Sequence, residues 1–275
     1  MTRIALFQST TGIDPAANAE ALVAAIAEAA KGGATMLFTP EMSGLLDRNS
    51  ERASASLHGE EDDSVLAACR AAAKEHDVWV HLGSLAILAE DGKVANRGFV
   101  IDRTGRVQAR YDKIHLFDVD LPTGESWRES AVYRAGDKSV VVNGTPVGKL
   151  GLTICYDLRF PLLFARIAEA DADVIAVPAA FTVPTGKAHW HTLLRARAIE
   201  AGLFVVAAAQ VGHHEDGRNT FGHSLVIDPW GEVLLDMGEE RGVGFADIDL
   251  SRISEVRSRI PALNHRRPIP DVVSQ

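Results

Sequence analysis

Cysteine is scarce in this chain: two residues in 275, Cys69 and Cys155. Two cannot build a disulfide framework, and nothing in the sequence has paired zinc-ligand spacing. Long apolar runs are missing too. No stretch approaches the ~18 residues of a membrane-spanning helix, and "MTRIALFQS" lacks the small-residue site that ends a signal peptide. Positive charge is in deficit, with a net charge of −9. That argues against a nucleic-acid partner, because phosphate neutralisation dominates such affinity. The short basic stretch "RSRIPALNHRRP" has no interleaved aromatics and reads as a surface or subunit-contact segment. There is no low-complexity segment or linker, so residues 1–275 are expected to form one domain. Free thiols and no export signal point to a reducing, cytoplasmic setting.

What is present is ordinary globular material, 47% hydrophobic and 24% charged. "RIALFQ" reads as a strand. "PAANAEALVAAIAEAAKGG" reads as a helix opened by proline and stopped by a glycine pair. "ATMLFTPE" reads as a buried strand, and "DDSVLAACRAAAKEHD" as a helix opened by aspartates that holds Cys69 as packing. β-rich runs follow ("VWVHLGSLAILAE", "ANRGFVIDRTGRVQARY", "SVVVNGTPVGKLGLTIC", "ADVIAVPAA", "LFVVAAAQ"), some separated by helical pieces such as "LLFARIAEA" and "HWHTLLRARAIEAG". The alternation gives an α/β class. "GFVIDRTGRV" and "SLVIDPWGEV" share a strand, a central Asp, a turn with Gly and a second strand, which hints at two pseudo-symmetric α/β layers.

Three strand ends carry chemically useful groups. Glu41 follows "MLFTP", Lys113 follows "ARYD", and Cys155 follows "LGLTI". Strand C-termini in α/β folds are where functional groups collect. A thiol near a helix N-terminus and a cation is expected to have a lowered pKa. Glu, Lys and Cys together suit nucleophilic attack on an amide-like carbon: the thiol attacks, a carboxylate shuttles the proton, and the lysine with a backbone N–H holds the oxyanion. A second carboxylate would keep the lysine charged, and "ESWRESAVYRAGD" offers Glu125 and Glu129 without choosing between them.

These pieces are familiar as a set. "TPEMSG", "RYDKIHLFD", "RESAVYRAGD", "GLTICYDLRFP", "AAFTVPTGKAHWHTLLRARAIE" and "GHSLVIDPWGEV" resemble the nitrilase (carbon–nitrogen hydrolase) superfamily, in order and nearly end to end. Within it they look most like the Nit amidases, the deaminated-glutathione amidase branch, with ω-amidase a close relative. The resemblance implies a four-layer α-β-β-α sandwich that assembles as a homodimer or larger homo-oligomer. It places the catalytic set on Glu41, Lys113 and Cys155, and the supporting glutamate on Glu129. It implies amide hydrolysis through a thioester, with the oxyanion held by Lys113 and the Tyr156 N–H, ammonia leaving, and no metal or organic cofactor.

The substrate of such an enzyme is a small-molecule amide. Phe117, Tyr156, Phe181, Thr182 and Thr185 are expected around the acyl site, and Arg159 or Arg195 is expected to pair with a substrate carboxylate. Arg197 reads as a structural ion pair. A Cys–His hydrolase using His115, His189, His191 or His223 has no motif behind it. "HWH" lacks further zinc ligands, and "GHHEDG" reads as a solvated loop. A non-catalytic scaffold of the same fold would have no need for all of Glu41, Lys113, Glu129 and Cys155. The catalytic set alone does not separate amides from nitriles or carbamoyl groups, nor deaminated glutathione from α-ketoglutaramate.

Overall fold

The computed structural model describes residues 1–89, 91–120, 124 and 126–274. Two sheets form its centre. In the first, the strands run in the order 242–248, 2–8, 36–38, 79–88, 94–101 and 107–112, with 133–134 added on 94–101. In the second, the order is 233–236, 225–227, 204–207, 174–176, 148–152 and 140–145. Each sheet has three central parallel strands and antiparallel neighbours outside them.

Side-chain alternation explains the layering. Along the first sheet Ile4, Leu6, Met36, Phe38 and Val100 point inward, where they share one core with Leu150, Leu152, Val174 and Phe204 of the second sheet. Ala5, Leu37, Val80, Phe99 and Ile101 point the other way, onto helices α1 (Pro15–Lys31) and α3 (Ser64–Glu75); the short α2 (Ser50–Ser54) lies between these two in the chain. On the far side α4 (Pro161–Glu169) and α5 (Val183–Ala201) cover the second sheet. The result is the four-layer α-β-β-α sandwich that the resemblance implied. The last helix is α6 (Ser251–Arg259).

Helix limits follow the sequence signals. Asp14 caps α1 by accepting from Ala16 N at 2.9 Å, with Pro15 in the first turn, and Asp63 caps α3 through Leu66 N at 2.7 Å. The two echoing hairpins occupy matching ends of the two sheets. In each, the aspartate's Oδ1 accepts two N–H groups of the turn: Thr104 and Arg106 at Asp102, Trp230 and Glu232 at Asp228. The turn glycines, Gly105 and Gly231, have φ of 78° and 88°.

One expectation is corrected. "GHHEDG" is not a solvated loop throughout: it closes the hairpin 211–213/219–221, with His214 fully buried and Asp216 nearly so. His214 bonds Thr11 O and Thr220 Oγ1. A buried polar side chain needs such partners, and here the strand neighbours supply them.

Candidate active site

Each key side chain leaves the end of a strand. Glu41 lies three residues past strand 36–38. Its loop presses so closely on strand 79–88 that a Cβ at Gly83 would sit 2.1 Å from Thr39 O. Met42, in the left-handed region at φ 57°, turns the chain back and donates its N–H to Ser84 Oγ at 2.9 Å. Lys113 follows strand 107–112 directly, its N–H bonded to Asn96 O at 2.9 Å. Cys155 opens a short 3-10 turn, Cys155–Arg159, three residues past strand 148–152.

Cys155 has φ of 49°, a strained value for a residue with a side chain. Two contacts over-determine it. Its N–H donates to Pro178 O at 2.9 Å, and the carboxylate of Asp157 grips the turn. Asp157, fully buried, accepts from Ile154 N at 2.9 Å, Tyr111 OH at 2.7 Å, His115 N at 3.0 Å and His115 Nδ1 at 2.7 Å. It therefore ties the Cys155 turn to the loop that carries Lys113. The Tyr156 N–H stands in the first turn of this 3-10 segment, where helix geometry leaves donors without backbone partners.

The structure brings Glu41, Lys113, Glu129 and Cys155 together. Lys113 Nζ donates to Glu41 Oε1 at 2.9 Å and to Glu129 Oε2 at 2.9 Å, and it is 2% exposed. Asn96 Nδ2 bridges the same two carboxylates at 3.0 and 3.1 Å. Glu129 Oε2 also takes the N–H of Phe117 at 2.6 Å, and Ala180 N donates to Glu41 Oε2 at 2.9 Å. The other sequence candidate, Glu125, lies outside the described residues.

Burial and charge set the protonation states. Burial raises the Glu41 carboxyl, but the Lys113 charge and the bonds from Cys155, Lys113 and Asn96 outweigh it and hold the group below its ordinary range. Burial works against the Lys113 ammonium, yet Glu129 and Glu41 raise it well above the usual value. Cys155 reverses an expectation: burial, then the adjacent Glu41 charge, push the thiol well up, and Lys113 only partly offsets them. The resting pair is a thiol hydrogen-bonded to a carboxylate rather than a preformed thiolate.

These groups open into a cavity of about 610 Å³. Phe117, Tyr156, Phe181, Thr182 and Thr185 are among its lining residues. Arg159 and Arg195 are not among the lining residues. Arg159 bonds His189 Nδ1 at 3.2 Å and stacks behind Phe181, while Arg195 donates to Gly231 O at 2.9 Å. Arg197 is structural, holding Leu158 O and Glu200. The arginines on the cavity are Arg48, Arg128 and Arg218. No histidine lines it among the described residues. His115 serves Asp157, and His191 and His223 each bond one oxygen of Asp236 at 2.9 Å.

The model of the carbon–nitrogen hydrolase family matches residues 3–258. The chain belongs to that family. It is similar to the deaminated glutathione amidase of Dictyostelium discoideum, 46% identical over 200 residues, which cover 71% of this chain and 68% of that protein. Among solved structures it resembles the Caenorhabditis elegans NitFhit protein, with a TM-score of 0.89 and 38% identity over 97% of this chain and 65% of the other. A variant of the amidase from Nesterenkonia sp. AN1, which carries acrylamide added at its active site cysteine, matches with a TM-score of 0.78. It is 26% identical, and the match covers 95% of this chain and 98% of that one. The chain thus spans about two-thirds of the length of its first two relatives named here, and as a carbon–nitrogen hydrolase it falls with the amidases of the nitrilase superfamily.

Four contributors to the site were not singled out in the sequence: Asn96, Asp157, the Ala180 N–H, and the Arg48–Trp127–Arg218 wall. Asp157 had a usable signal, a carboxylate two residues past the candidate cysteine in a turn. Asn96 sits mid-strand with no motif around it, and a backbone donor such as Ala180 N leaves no mark on residue type.

Proposed function

We propose that this hydrolase cleaves the amide bond of a small carboxylic acid through a Cys155 thioester, with deaminated glutathione as its substrate. The carrying observation is the buried Glu41–Lys113–Glu129 cluster set against a thiol on a strained turn. Cys155 Sγ attacks the carbonyl carbon as its proton passes to Glu41. Lys113 Nζ and the Tyr156 N–H hold the oxyanion; loss of one such donor costs about 3–4 kcal/mol of transition-state stabilisation. Glu41 returns the proton to nitrogen, the C–N bond breaks and the amine leaves. Water then adds to the thioester while Glu41 takes its proton. The S–C bond breaks, the thiol recovers that proton, and the acid departs. Glu129 keeps Lys113 charged and in place.

The raised thiol fits this scheme, because a base beside a neutral thiol generates the nucleophile only as it attacks. The cysteine adduct of the Nesterenkonia amidase supports the same residue type in that role. The substrate reading rests on the name of the Dictyostelium relative. With deaminated glutathione the leaving amine is a cysteinylglycine fragment; ammonia leaves only from a primary amide.

In this reading residues 1–275 act as one hydrolase domain in the cytoplasm, as a homodimer or larger assembly. The exposed apolar residues Ile199, Trp230 and Ile260, which line one shallow depression, offer a surface for self-association. The test is turnover of deaminated glutathione by purified protein, beside α-ketoglutaramate and simple nitriles. Fastest cleavage of deaminated glutathione, abolished in Cys155→Ala, supports the proposal. Preference for α-ketoglutaramate would move the substrate to the ω-amides. Turnover that survives Cys155→Ala would overturn the mechanism.

A further inference from the structure

Among the described residues, every charged side chain on the cavity wall but one has a charged partner. Lys113 is shared by Glu41 and Glu129, Arg128 pairs with Asp120 at 2.9 Å, and Arg218 pairs with Asp216 at 2.7 Å. Asp47, also on the wall, is taken by Arg52 at 2.6 Å. Arg48 has no carboxylate partner among the described residues. Its guanidinium carbon lies 5.2 Å from the ring centroid of Trp127, and that of Arg218 lies 5.0 Å from the same ring. All three residues line the cavity that holds Cys155.

One buried carboxylate organises the pair. Asp216 Oδ2 accepts both the backbone N–H of Arg48 at 2.9 Å and Nε of Arg218 at 2.7 Å. This leaves the outer nitrogens of Arg218 without a protein acceptor among the described residues. Stacking on an aromatic face fixes a guanidinium's orientation while leaving its N–H edge free, and that edge matches a carboxylate in a forked geometry. In a chain of net charge −9, such a wall selects for an anion against the general field of the protein.

We infer that Arg48 and Arg218, braced on Trp127 and Asp216, bind a carboxylate carried by the leaving-amine half of the substrate. This rests on the amidase reading above and deepens it. Size supports the leaving side: about 610 Å³ is the room of a drug-sized ligand, far more than a five-carbon acid amide fills. In the substrate proposed above, that carboxylate is the glycine terminus of the leaving cysteinylglycine, and Arg48 and Arg218 are the residues that would select for it.

The test compares deaminated glutathione with its glycine carboxamide, which differs only in that terminal charge. The wild type should prefer the acid in kcat/KM by tenfold or more. Arg48→Gln and Arg218→Gln should each cut that preference at least fivefold, mainly through KM on the acid. A preference that is absent in the wild type, or untouched in both variants, overturns the proposal. Calorimetric binding of the same two compounds to the Cys155→Ala protein reads the anion site without turnover. Tighter binding of the acid, weakened when Arg48→Gln is added, supports the site even if the hydrolytic reading fails. Equal binding of both compounds refutes it even if hydrolysis is confirmed.

Discussion

Lys113 and Glu41 are joined by a 2.9 Å hydrogen bond at a place where neither residue is more than 4% exposed. An ammonium so placed is tolerable only because two carboxylates face it, and the second is Glu129. Breaking a buried pair by removing one partner typically costs about 3–5 kcal/mol. Glu129→Gln is therefore expected to lower the melting temperature and to reduce kcat more than it alters KM, since Lys113 loses its anchor. Glu41→Gln should cut kcat on the order of 10²–10⁴-fold through loss of the proton shuttle. Thermal melts and steady-state kinetics on both variants check this; near-normal turnover in Glu41→Gln would remove the general base from the scheme.

The two cysteines should part company under alkylation. Burial pushes Cys69 up to about 12, and it sits inside the packing of α3. Cys155 faces the cavity. Intact-mass analysis with iodoacetamide should show one equivalent added, on Cys155. Glu41→Gln carries an opposite sign for two readouts: it should cut amide turnover on the order of 10²–10⁴-fold yet speed alkylation near neutral pH. Burial and then the Glu41 charge raise the thiol, so removing that charge lets Lys113 offset more of the rise and brings the thiol down relative to the wild type.

Asp157 collects four donors from two segments, so an amide side chain cannot replace it: one of its two terminal atoms would meet a donor with another donor. Asp157→Asn should lower stability by about 2–4 kcal/mol and reduce kcat, while leaving stoichiometric Cys155 labelling possible at a slower rate. Denaturant melts and labelling kinetics separate the two effects. Unaltered kcat at lowered stability would show that the residue serves folding alone.

His81, buried in strand 79–88 with no partner for Nδ1 among the described residues, has its pKa lowered to about 3 by burial. The unfolded chain binds a proton there near pH 6.5, and the folded one does not until about 3. Stability is thus unaffected above 6.5 and falls as pH drops from 6.5 towards 3, by up to about 1.4 kcal/mol per pH unit from this group. A His81→Gln variant should show a shallower decline across that window in urea melts. An identical slope would assign acid sensitivity to other groups.

Much of the site was legible because its residue types are chemically costly to place by chance. A lysine hemmed by Tyr111 and Ile114, and a cysteine ending an apolar strand, need a reason. The resemblance then selected Glu129. The α/β class was legible through alternation and caps, while the four layers came only with the resemblance; Asp102 and Asp228 show the hairpin echo to be real down to the turn hydrogen bonds. The carboxylate-binding candidates were not legible. Arg159 ends the cysteine turn itself, whereas Arg48 is joined to Arg218 only through Asp216, 168 residues away from it in the chain, a contact set by tertiary packing. The thiol's direction was also missed, because motif proximity shows the lysine and helix end but not the depth of burial.

The central claim is a covalent acyl-enzyme on Cys155, and rapid-quench mass spectrometry during turnover of deaminated glutathione tests it most directly. The expected result is a transient adduct of the acyl half on the peptide containing Cys155, present in the first turnover and absent in Cys155→Ala. Steady turnover with no adduct at any time, or an adduct on another residue, would contradict the account.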